Sequence, residues 1–327
     1  MKVLVCGGAG YIGAHMCKLL ARSGHEVVVF DNLSTGHADL VRWGSLVSGD
    51  LLAIEDVERA FSRGPFDAVM HFAAACLVGE SVTRPDHYYR NNVAGTIALL
   101  DGMVRHDVPH LIFSSSCAVY GIAQYSPMDE AHPKQPANPY GRSKLIAEMA
   151  LRDYETAYGL KSVALRYFNA AGADGDAEVG EHHEPETHLI PNILLSLLHG
   201  DRHPLRINGG DYPTSDGTCV RDYVHVEDIC MAHLQALAYL QNGGESDAFN
   251  LGSAKGYSVL EVVKAVQGLT GRVVAYEITA RRPGDPPTLV AASGKAKRVF
   301  EWTPRHDLDG IIASAWRWHR SREGLAN

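Results

Sequence analysis

The chain has 327 residues, a length that suits one large α/β domain with a smaller one better than a single small core. Its 38 acidic residues outnumber 30 lysines and arginines, which gives a formal net charge of −8 without runs of like charge. This balance argues against nucleic acid and against an anionic membrane surface as partners.

Cysteine usage and hydropathy point to a cytoplasmic protein. The six cysteines include no CxxC pair, which suits reduced thiols better than a disulfide framework. No apolar run reaches the roughly 18 residues that a membrane-spanning helix needs. A first strand that starts at residue 2 is also not expected to follow a signal peptide.

The amino terminus has the pattern of a dinucleotide-binding turn. An apolar strand over residues 2–6 runs into a glycine-rich turn, and a helical pattern follows it. Gly7 permits the tight turn, Gly10 lets the backbone approach a pyrophosphate, and Gly13 allows close packing of helix on sheet. Asp31 ends the next apolar run, where an acid accepts hydrogen bonds from the adenosine ribose hydroxyls. The pattern therefore predicts NAD rather than its 2′-phosphorylated analogue.

Strands then alternate with helices, which is typical of a parallel, doubly wound sheet. The predicted strands span 2–6, 26–30, 68–72, 110–114 and 162–166, and the predicted helices span 15–23, 92–106, 143–158 and 189–198. The pattern changes near Asn169, where a loop rich in glycine and acids begins. We therefore expect a Rossmann-type α/β domain over 1–168, completed by part of 222–252, and a smaller α/β substrate domain over 169–327.

A tyrosine and a lysine four positions apart suggest a general base. On a helix, Tyr140 and Lys144 share one face. A tyrosine normally has a pKa near 10, but a neighbouring ammonium and a positively charged nicotinamide both favour the phenolate. Tyr140 is then a candidate base for redox chemistry at an alcohol or sugar carbon. The Y-x-x-x-K spacing is common by chance. It indicates a catalytic site here because a dinucleotide-binding glycine turn and Ser116 precede it in the chain.

At this point the chain resembles a known family, the extended short-chain dehydrogenase/reductases and, within it, the UDP-glucose 4-epimerases. The resemblance covers essentially the whole chain. The segments that carry it are Gly7-Gly8-Ala9-Gly10-Tyr11-Ile12-Gly13, Asp31-Asn32-Leu33, Gly49-Asp50-Leu51, His71-Phe72-Ala73-Ala74, Val78-Gly79-Glu80-Ser81-Val82, Tyr88-Tyr89-Arg90-Asn91-Asn92-Val93, Phe113-Ser114-Ser115-Ser116, Tyr140-Gly141-Arg142-Ser143-Lys144, Arg166-Tyr167-Phe168-Asn169, Gly217-Thr218-Cys219-Val220-Arg221-Asp222-Tyr223-Val224-His225-Val226 and Arg281-Arg282-Pro283-Gly284-Asp285.

The resemblance implies interconversion of UDP-glucose and UDP-galactose by inversion at carbon 4. Tyr140 would take the proton of the 4-hydroxyl while NAD takes the hydride, and both would return to the other face of the 4-keto sugar. Ser116 would hydrogen-bond the reacting oxygen, and Lys144 would bind the nicotinamide ribose. Donors placed at an oxygen that gains charge in the transition state contribute to rate more than to substrate affinity.

The resemblance also implies the binding residues and a homodimer formed by the helices over 92–106 and 143–158. The cofactor residues that it implies are Gly7, Gly10, Tyr11, Ile12, Asp31, Asn32, Asp50, Leu51, Phe72, Ala73, Asn91, Lys144 and Tyr167. The substrate residues that it implies are Ser116, Tyr140, Asn169, Leu189, Arg221, Arg282, Asp285 and Leu289. The arginines suit a pyrophosphate because a guanidinium presents paired donors.

Several departures and alternatives remain. His188 stands where many epimerases have Asn, and Cys76 stands where some have a lysine near the pyrophosphate. Cys117 and Ala118 replace the Asp-Glu pair of sugar dehydratases, so elimination of water is not expected. A 4-epimerase for an N-acetylhexosamine, a uronate or a pentose, or a non-catalytic NAD sensor, stays an alternative. Leu289, where glucose-restricted members carry Tyr, leads us to hypothesise turnover of UDP-N-acetylglucosamine.

Two further patterns are interpreted as structural. His182, His183 and His188 lie in an acid-rich loop, but their spacing is not a helical ligand pattern, so no metal site is expected. Ser116 could pair with a histidine as in a hydrolase, yet no G-x-S-x-G elbow surrounds it.

Overall fold

The computed structural model describes residues 1–282 and 285–325, so Pro283 and Gly284 of the Arg-Pro-Gly-Asp segment lie outside the described residues. The strands are β1 Lys2–Cys6, β2 Glu26–Asp31, β3 Ser45–Ser48, β4 Ala68–His71, β5 His110–Ser116, β6 Lys161–Tyr167, β7 Asn169–Ala171, β8 Leu205–Asn208, β9 Val220–Arg221, β10 Tyr223–His225, β11 Asp247–Leu251, β12 Tyr257–Ser258, β13 Tyr276–Thr279 and β14 Thr288–Leu289. The α-helices are α1 Tyr11–Arg22, α2 Ile54–Phe61, α3 Val78–Thr83, α4 Pro85–Tyr88, α5 Gly95–Arg105, α6 Pro139–Tyr158, α7 Leu189–His199, α8 Val226–Gln241, α9 Val259–Thr270, α10 Gly294–Phe300 and α11 Leu308–Arg322.

A seven-stranded parallel sheet with the order β11-β6-β5-β4-β1-β2-β3 forms the larger layer. Side chains alternate along each strand, so Val3 and Val5 of β1 pack under α1 and α8, whereas Leu4 and Cys6 pack under α2, α5 and α6. Both faces are therefore buried, as a doubly wound parallel sheet requires. The Rossmann-type fold predicted from the sequence is confirmed.

The chain crosses between the large sheet and a second layer more than once. After β7 it forms α7, β8 and β9, returns to the large sheet through α8 and β11, and leaves again. The second layer contains the small sheets β12-β9-β14 and β13-β8, and a core between α7, α9 and α11. The division into a cofactor domain and a substrate domain near residue 168 stays a prediction.

The helix that carries Tyr140 starts earlier than the range 143–158 predicted from the sequence. It begins at Pro139 rather than at Ser143, and Asn138 caps it by accepting a hydrogen bond from Gly141 N at 2.9 Å. Proline at the first position and asparagine at the cap are both favourable for a helix start. Tyr140 therefore lies in the first turn of α6, close to the end of the sheet.

The helix predicted over 92–106 also differs from the structure, in which α5 begins at Gly95 and continues from a preceding turn. The structure has a π-helical turn over Tyr89–Ala94 between α4 and α5, with helical backbone at both junctions. Within residues 1–282 and 285–325, no helix is both long and apolar enough to cross a bilayer.

Candidate active site

The glycine turn after β1 is shaped by close backbone contacts. Gly7 has φ +80°, and a Cβ there would lie 2.5 Å from Ala73 N. A Cβ on Gly13 would lie 2.1 Å from the carbonyl oxygen of Gly7, so neither position accepts a side chain. Gly10 differs, because a Cβ there would meet nothing closer than the Gly7 carbonyl oxygen at 3.4 Å. Its missing side chain leaves space in front of the turn, where a pyrophosphate would fit.

Helix α1 starts directly at this space. Gly10 is its cap residue and offers no side chain to the first amide groups. Unsatisfied amides and the positive end of the helix dipole favour an anion at such a position. The turn therefore fits the phosphates of a dinucleotide both sterically and electrostatically.

Asp31 is tied into the same turn from the end of β2. Its Oδ2 accepts a hydrogen bond from Ala9 N at 2.9 Å, and its Oδ1 accepts one from Leu33 N at 2.8 Å. Burial raises the pKa of this carboxyl, although these hydrogen bonds act in the opposite direction. A carboxylate has about four lone-pair positions, so Asp31 can still accept from ribose hydroxyls. At the outer edge, Asn32 Nδ2 donates to Asp50 Oδ2 at 2.9 Å.

The end of β5 brings together the three predicted catalytic residues. Ser116 is the last residue of β5, and Tyr140 and Lys144 lie on one face of α6 beside it. Lys144 Nζ donates to the carbonyl oxygen of Ser114 at 2.8 Å and lies 4.9 Å from the centre of the Phe113 ring. Burial lowers the pKa of Lys144 to about 8. The ammonium is thus held in place by the strand that ends at Ser116.

Burial dominates the surroundings of the Tyr140 phenol. It raises the pKa of Tyr140 well above its usual value, and a hydrogen bond with Ser116 acts against that rise. The Lys144 ammonium donates to the carbonyl oxygen of Ser114. That Lys144 and a bound nicotinamide favour the phenolate stays a prediction. Spacing shows which residues share a face, but it does not show how deeply that face is buried.

The residues predicted to line the path to the nicotinamide lie at the ends of β4 and β6. The amides of Phe72 and Ala73 donate to the carbonyl oxygen of Cys6 at 2.8 and 3.1 Å, which holds them beside the glycine turn. The Phe72 ring lies 4.8 Å from the ring of His233, and the Tyr167 ring lies 6.4 Å from it. His233 was not singled out in the sequence, because it is buried on α8 far along the chain.

The π-helical turn places two asparagines next to this path. Asn91 Nδ2 donates to Asn92 Oδ1 at 2.9 Å. Asn92 Oδ1 accepts from Ala75 N at 2.8 Å, while its Nδ2 donates to the Ala75 carbonyl at 2.9 Å and to Ser143 Oγ at 3.0 Å. The turn therefore connects the loop after β4 to α6. Leu51, also predicted at the cofactor, lies against the next residue of this helix, Gly95.

The predicted substrate residues group around β9 and β14. These strands pair in parallel, with Leu289 opposite Arg221. Arg221 forms an ion pair with Asp285, and its Nη1 donates to the Val220 carbonyl at 2.8 Å. Burial raises the pKa of the Cys117 thiol, which follows Ser116, and the charge of Arg221 acts in the opposite direction. Arg221 is therefore near enough to the end of β5 to influence it electrostatically.

The other predicted substrate residues are Asn169, Leu189 and Arg282. Asn169 Nδ2 donates to the Asp222 carbonyl at 2.8 Å, and Leu189 is the first residue of α7. Arg282 is exposed and precedes Pro283 and Gly284, which lie outside the described residues. The roles of Asn169, Leu189 and Arg282 in binding a nucleotide remain predictions.

A group of histidines and acids lies next to the cleft and was not predicted as a unit. His183 Nδ1 lies 3.2 Å from Glu181 Oε1, and His188 Nδ1 lies 2.5 Å from the same oxygen. Burial opposes charge on His183, but the carboxylates of Glu181 and Glu186 outweigh it and raise the pKa to about 9. His182 instead stacks on His37 with 4.3 Å between ring centres. The segment is irregular, so an argument from helical spacing does not apply to it.

The comparisons with known proteins agree with this geometry. The profile of the NAD dependent epimerase/dehydratase family matches residues 3–252. A curated relative from Rhizobium meliloti (strain 1021), UDP-glucose 4-epimerase, is 48% identical over 98% of each chain. The structure of UDP-glucose 4-epimerase from Brucella ovis in complex with NAD is 50% identical, covers 97% of both chains and has a TM-score of 0.93. That of the UDP-Glc/GlcNAc 4-epimerase from Campylobacter jejuni is 40% identical, covers 98% of this chain and 99% of that one, and has a TM-score of 0.83.

The fold and the cleft are those of a Rossmann-type enzyme that binds a dinucleotide. The chain belongs to the NAD dependent epimerase/dehydratase family. The resemblance found in the motifs and the prediction of NAD as cofactor are thereby confirmed.

Proposed function

We propose that the protein is an NAD-dependent 4-epimerase that interconverts UDP-glucose and UDP-galactose. The observation that carries the proposal is the meeting of Ser116, Tyr140 and Lys144 at the end of β5, beside a glycine turn with space for a pyrophosphate. A binding protein needs no such base next to a redox cofactor. The epimerase names of the relatives support the same reaction.

The chemistry leaves the composition of the sugar unchanged. Bound NAD would accept and return the hydride of carbon 4. Tyr140 takes the proton of the 4-hydroxyl through its phenolic oxygen and gives it back after the 4-keto sugar has presented its other face. Ser116 holds the reacting oxygen. Lys144 would hold the nicotinamide ribose. Burial raises the pKa of the Tyr140 phenol, and the positive charges of Lys144 and of a bound nicotinamide would act in the opposite direction.

The remaining predicted contacts follow the two halves of the cleft. The residues proposed to hold NAD are Gly7, Gly10, Tyr11, Ile12, Asp31, Asn32, Asp50, Leu51, Phe72, Ala73, Asn91, Lys144 and Tyr167. The residues proposed to hold the UDP-sugar are Ser116, Tyr140, Asn169, Leu189, Arg221, Arg282, Asp285 and Leu289. Unpaired thiols at all six cysteines support a cytoplasmic location.

Proton NMR of the anomeric region tests the proposal. The purified protein is incubated with UDP-galactose, and the appearance of UDP-glucose shows 4-epimerisation. Conversion of only an N-acetylated, uronic or pentose UDP-sugar would restrict the activity to that sugar. No conversion across a panel of UDP-sugars would reject the enzyme and support a non-catalytic NAD sensor on the same fold.

The cofactor is expected to remain bound through purification, because the reaction cycle uses and regenerates it without release. Activity should therefore appear without added NAD, and denaturation should release NAD or NADH that is measurable by absorbance. Assays with added NAD and with added NADP provide the control. Activity that depends on added NADP would show that the role assigned to Asp31 is wrong.

Leu289 is expected to admit an N-acetylated sugar. Its half-buried side chain packs against the small core that contains Val119 and Phe168, and the side chain of Cys117, the residue after Ser116, packs against the same core. Leucine is smaller than the tyrosine of glucose-restricted members, and the Campylobacter jejuni relative is named as acting on both sugars. We expect turnover of UDP-N-acetylglucosamine as well as UDP-glucose.

Steady-state rates of the wild type, Leu289→Tyr and Leu289→Met on both sugars measure this. Leu289→Tyr should lose roughly tenfold or more of the N-acetyl activity and keep most of the glucose activity, while the volume-conserving Leu289→Met should keep both. A wild type inactive on the N-acetylated sugar would end the hypothesis, and Leu289 would then be a packing residue alone.

A homodimer through α5 and α6 is proposed. The sequence offers Leu99, Leu100 and Met103 on α5 and Leu145, Met149 and Tyr154 on α6 for the contact. The three residues on α5 are fully buried against their own sheet, whereas Met149 is exposed, as are Ile97, Ile146 and Tyr158. Exposed apolar side chains suit a symmetric interface.

Light scattering at micromolar concentration should give the mass of two chains. Introducing charge by Ile146→Glu with Met149→Glu should shift the protein to a monomer. Val273→Glu is the matched control, since Val273 is 87% exposed and lies outside α5 and α6. A monomeric wild type would reject the dimer.

A further inference from the structure

Four potential ligands of a metal ion lie together in the segment 181–188. They are Glu181, His183, Glu186 and His188, and their ligand atoms all lie within 4.8 Å of one another. Both imidazoles present Nδ1 to the two carboxylates. The carboxylates of Glu181 and Glu186 are each 4% exposed, so water competes little for them.

The distances are close to those of a tetrahedral site. Ligand atoms about 2.0 to 2.2 Å from a zinc ion are separated by roughly 3.4 Å along the edges of a tetrahedron. The structure gives 3.2 Å from Glu181 Oε1 to His183 Nδ1 and 3.7 Å from Glu186 Oε2 to His183 Nδ1. The 2.5 Å contact between Glu181 Oε1 and His188 Nδ1 would have to lengthen.

The second coordination shell is also formed. The amides of Thr187 and His188 donate to Glu186 Oε1 at 2.8 and 2.9 Å, which fixes that carboxylate and leaves Oε2 available. His183 Nδ1 is buried and makes no hydrogen bond of good geometry. Hydrogen bonds that orient ligating carboxylates are typical of metal sites.

In two other groups of similar residues, polar groups from elsewhere in the chain already occupy ligand atoms. Asp174, Asp176 and Glu178 surround the ammonium of Lys18, which forms an ion pair with each of them. In the group around His225, Nε2 is hydrogen-bonded to Ser314 Oγ at 2.9 Å and Nδ1 accepts from Glu227 N at 3.1 Å. The segment 181–188 contains no lysine or arginine, and two carboxylates balance the charge of one divalent cation.

We propose that Glu181, His183, Glu186 and His188 bind a divalent cation of the zinc class, with mixed nitrogen and oxygen ligands. The ion would hold the segment between the turn that carries Tyr11, whose ring lies 6.4 Å from that of His183, and the start of α7 at Leu189. Its role is structural: it fixes one wall of the cleft and takes no part in the reaction at carbon 4.

Cobalt is a suitable probe, since tetrahedral Co²⁺ absorbs in the visible range. The full chain, without an added histidine tag, is stripped with a chelator and titrated with CoCl₂ and then ZnCl₂ at mildly alkaline pH, because binding has to displace protons from both imidazoles. We expect one equivalent per chain, a tetrahedral cobalt spectrum, displacement of cobalt by zinc and a higher melting temperature.

The variants Glu181→Gln and His188→Ala should each lower the affinity for zinc by at least roughly 100-fold. Glu178→Gln is the matched control and should bind as the wild type does, because its carboxylate pairs with Lys18. If Glu181→Gln does not fold, His183→Gln, with a more exposed side chain, replaces it. The proposal is overturned if the wild type binds no cobalt at micromolar concentration, or if the ligand variants bind as tightly as Glu178→Gln. These measurements do not depend on epimerase activity.

Discussion

Turnover of UDP-galactose is expected to fall on the order of a thousandfold when Tyr140 is replaced by Phe. The change removes the oxygen that accepts and returns the proton and keeps the aromatic ring. That ring lies edge-on to Tyr88 with 6.4 Å between ring centres, a contact that phenylalanine preserves. We therefore expect the fold and the bound NAD to be unchanged.

The rate constant kcat, the NAD content and the far-ultraviolet circular dichroism of each variant check this result. Ser116→Ala is the comparison and should cost less, because it removes one hydrogen bond to the reacting oxygen while the base remains. If Tyr140→Phe retained turnover within about tenfold of the wild type, well inside the range of general-base effects, Tyr140 would not be the base.

The free energy of unfolding is expected to drop by about 3–5 kcal/mol when Arg166 is replaced by Met, because the change leaves a buried charge on Glu148 without its partner. Arg166 Nε donates to Glu148 Oε1 at 2.8 Å and Nη2 donates to Oε2 at 2.5 Å. The same carboxylate accepts from Ser115 Oγ at 2.5 Å, and Arg166 Nη1 donates to Tyr120 Oη at 2.9 Å. The side chains of Arg166 and Glu148 are 1% and 4% exposed.

Urea unfolding at fixed concentrations of protein and NAD measures this loss. The double variant Arg166→Met with Glu148→Leu should recover part of it, since no unpaired charge remains. Arg84→Ala is the surface control: its pair with Glu80 is exposed, and its removal should change stability by at most about 1 kcal/mol. If the free energy of unfolding of Arg166→Met fell by less than about 1 kcal/mol, the buried pair would not be essential for stability.

This ion pair sits next to the catalytic residues. Glu148 follows Lys144 by one turn of α6, Ser115 precedes Ser116, and Arg166 precedes Tyr167. Partial loss of activity in folded Arg166→Met would therefore be expected from a shift of α6 against β5.

The sequence predicted the parts of the site whose causes are local. The glycine turn after β1 and the shared face of Tyr140 and Lys144 depend on neighbouring residues and on simple periodicity. The start of α6 was missed: the predicted helix began at Ser143, whereas Asn138 and the following proline set the true boundary. A cap signal is short and is easily outweighed by periodicity.

Long-range contacts account for the rest. Burial of Tyr140, which raises the pKa of its phenol, results from several distant segments packing around the phenol. The grouping of Glu181, His183, Glu186 and His188 results from an irregular loop, and no regular spacing encodes it. Leu99 and its neighbours on α5 show the converse, since an apolar face alone does not tell a core from an interface.

The position of β11 has a consequence for synthesis of the protein. This strand pairs with β6 through Asp247 to Leu251, yet it is translated only after α7, β8, β9, β10 and α8. A nascent chain ending near residue 168 therefore has β6 as an uncovered sheet edge. Unpaired edge strands are templates for association with other chains. The amino-terminal half thus depends on residues made much later for its protection, and a protein shortened at that point should aggregate or require chaperones.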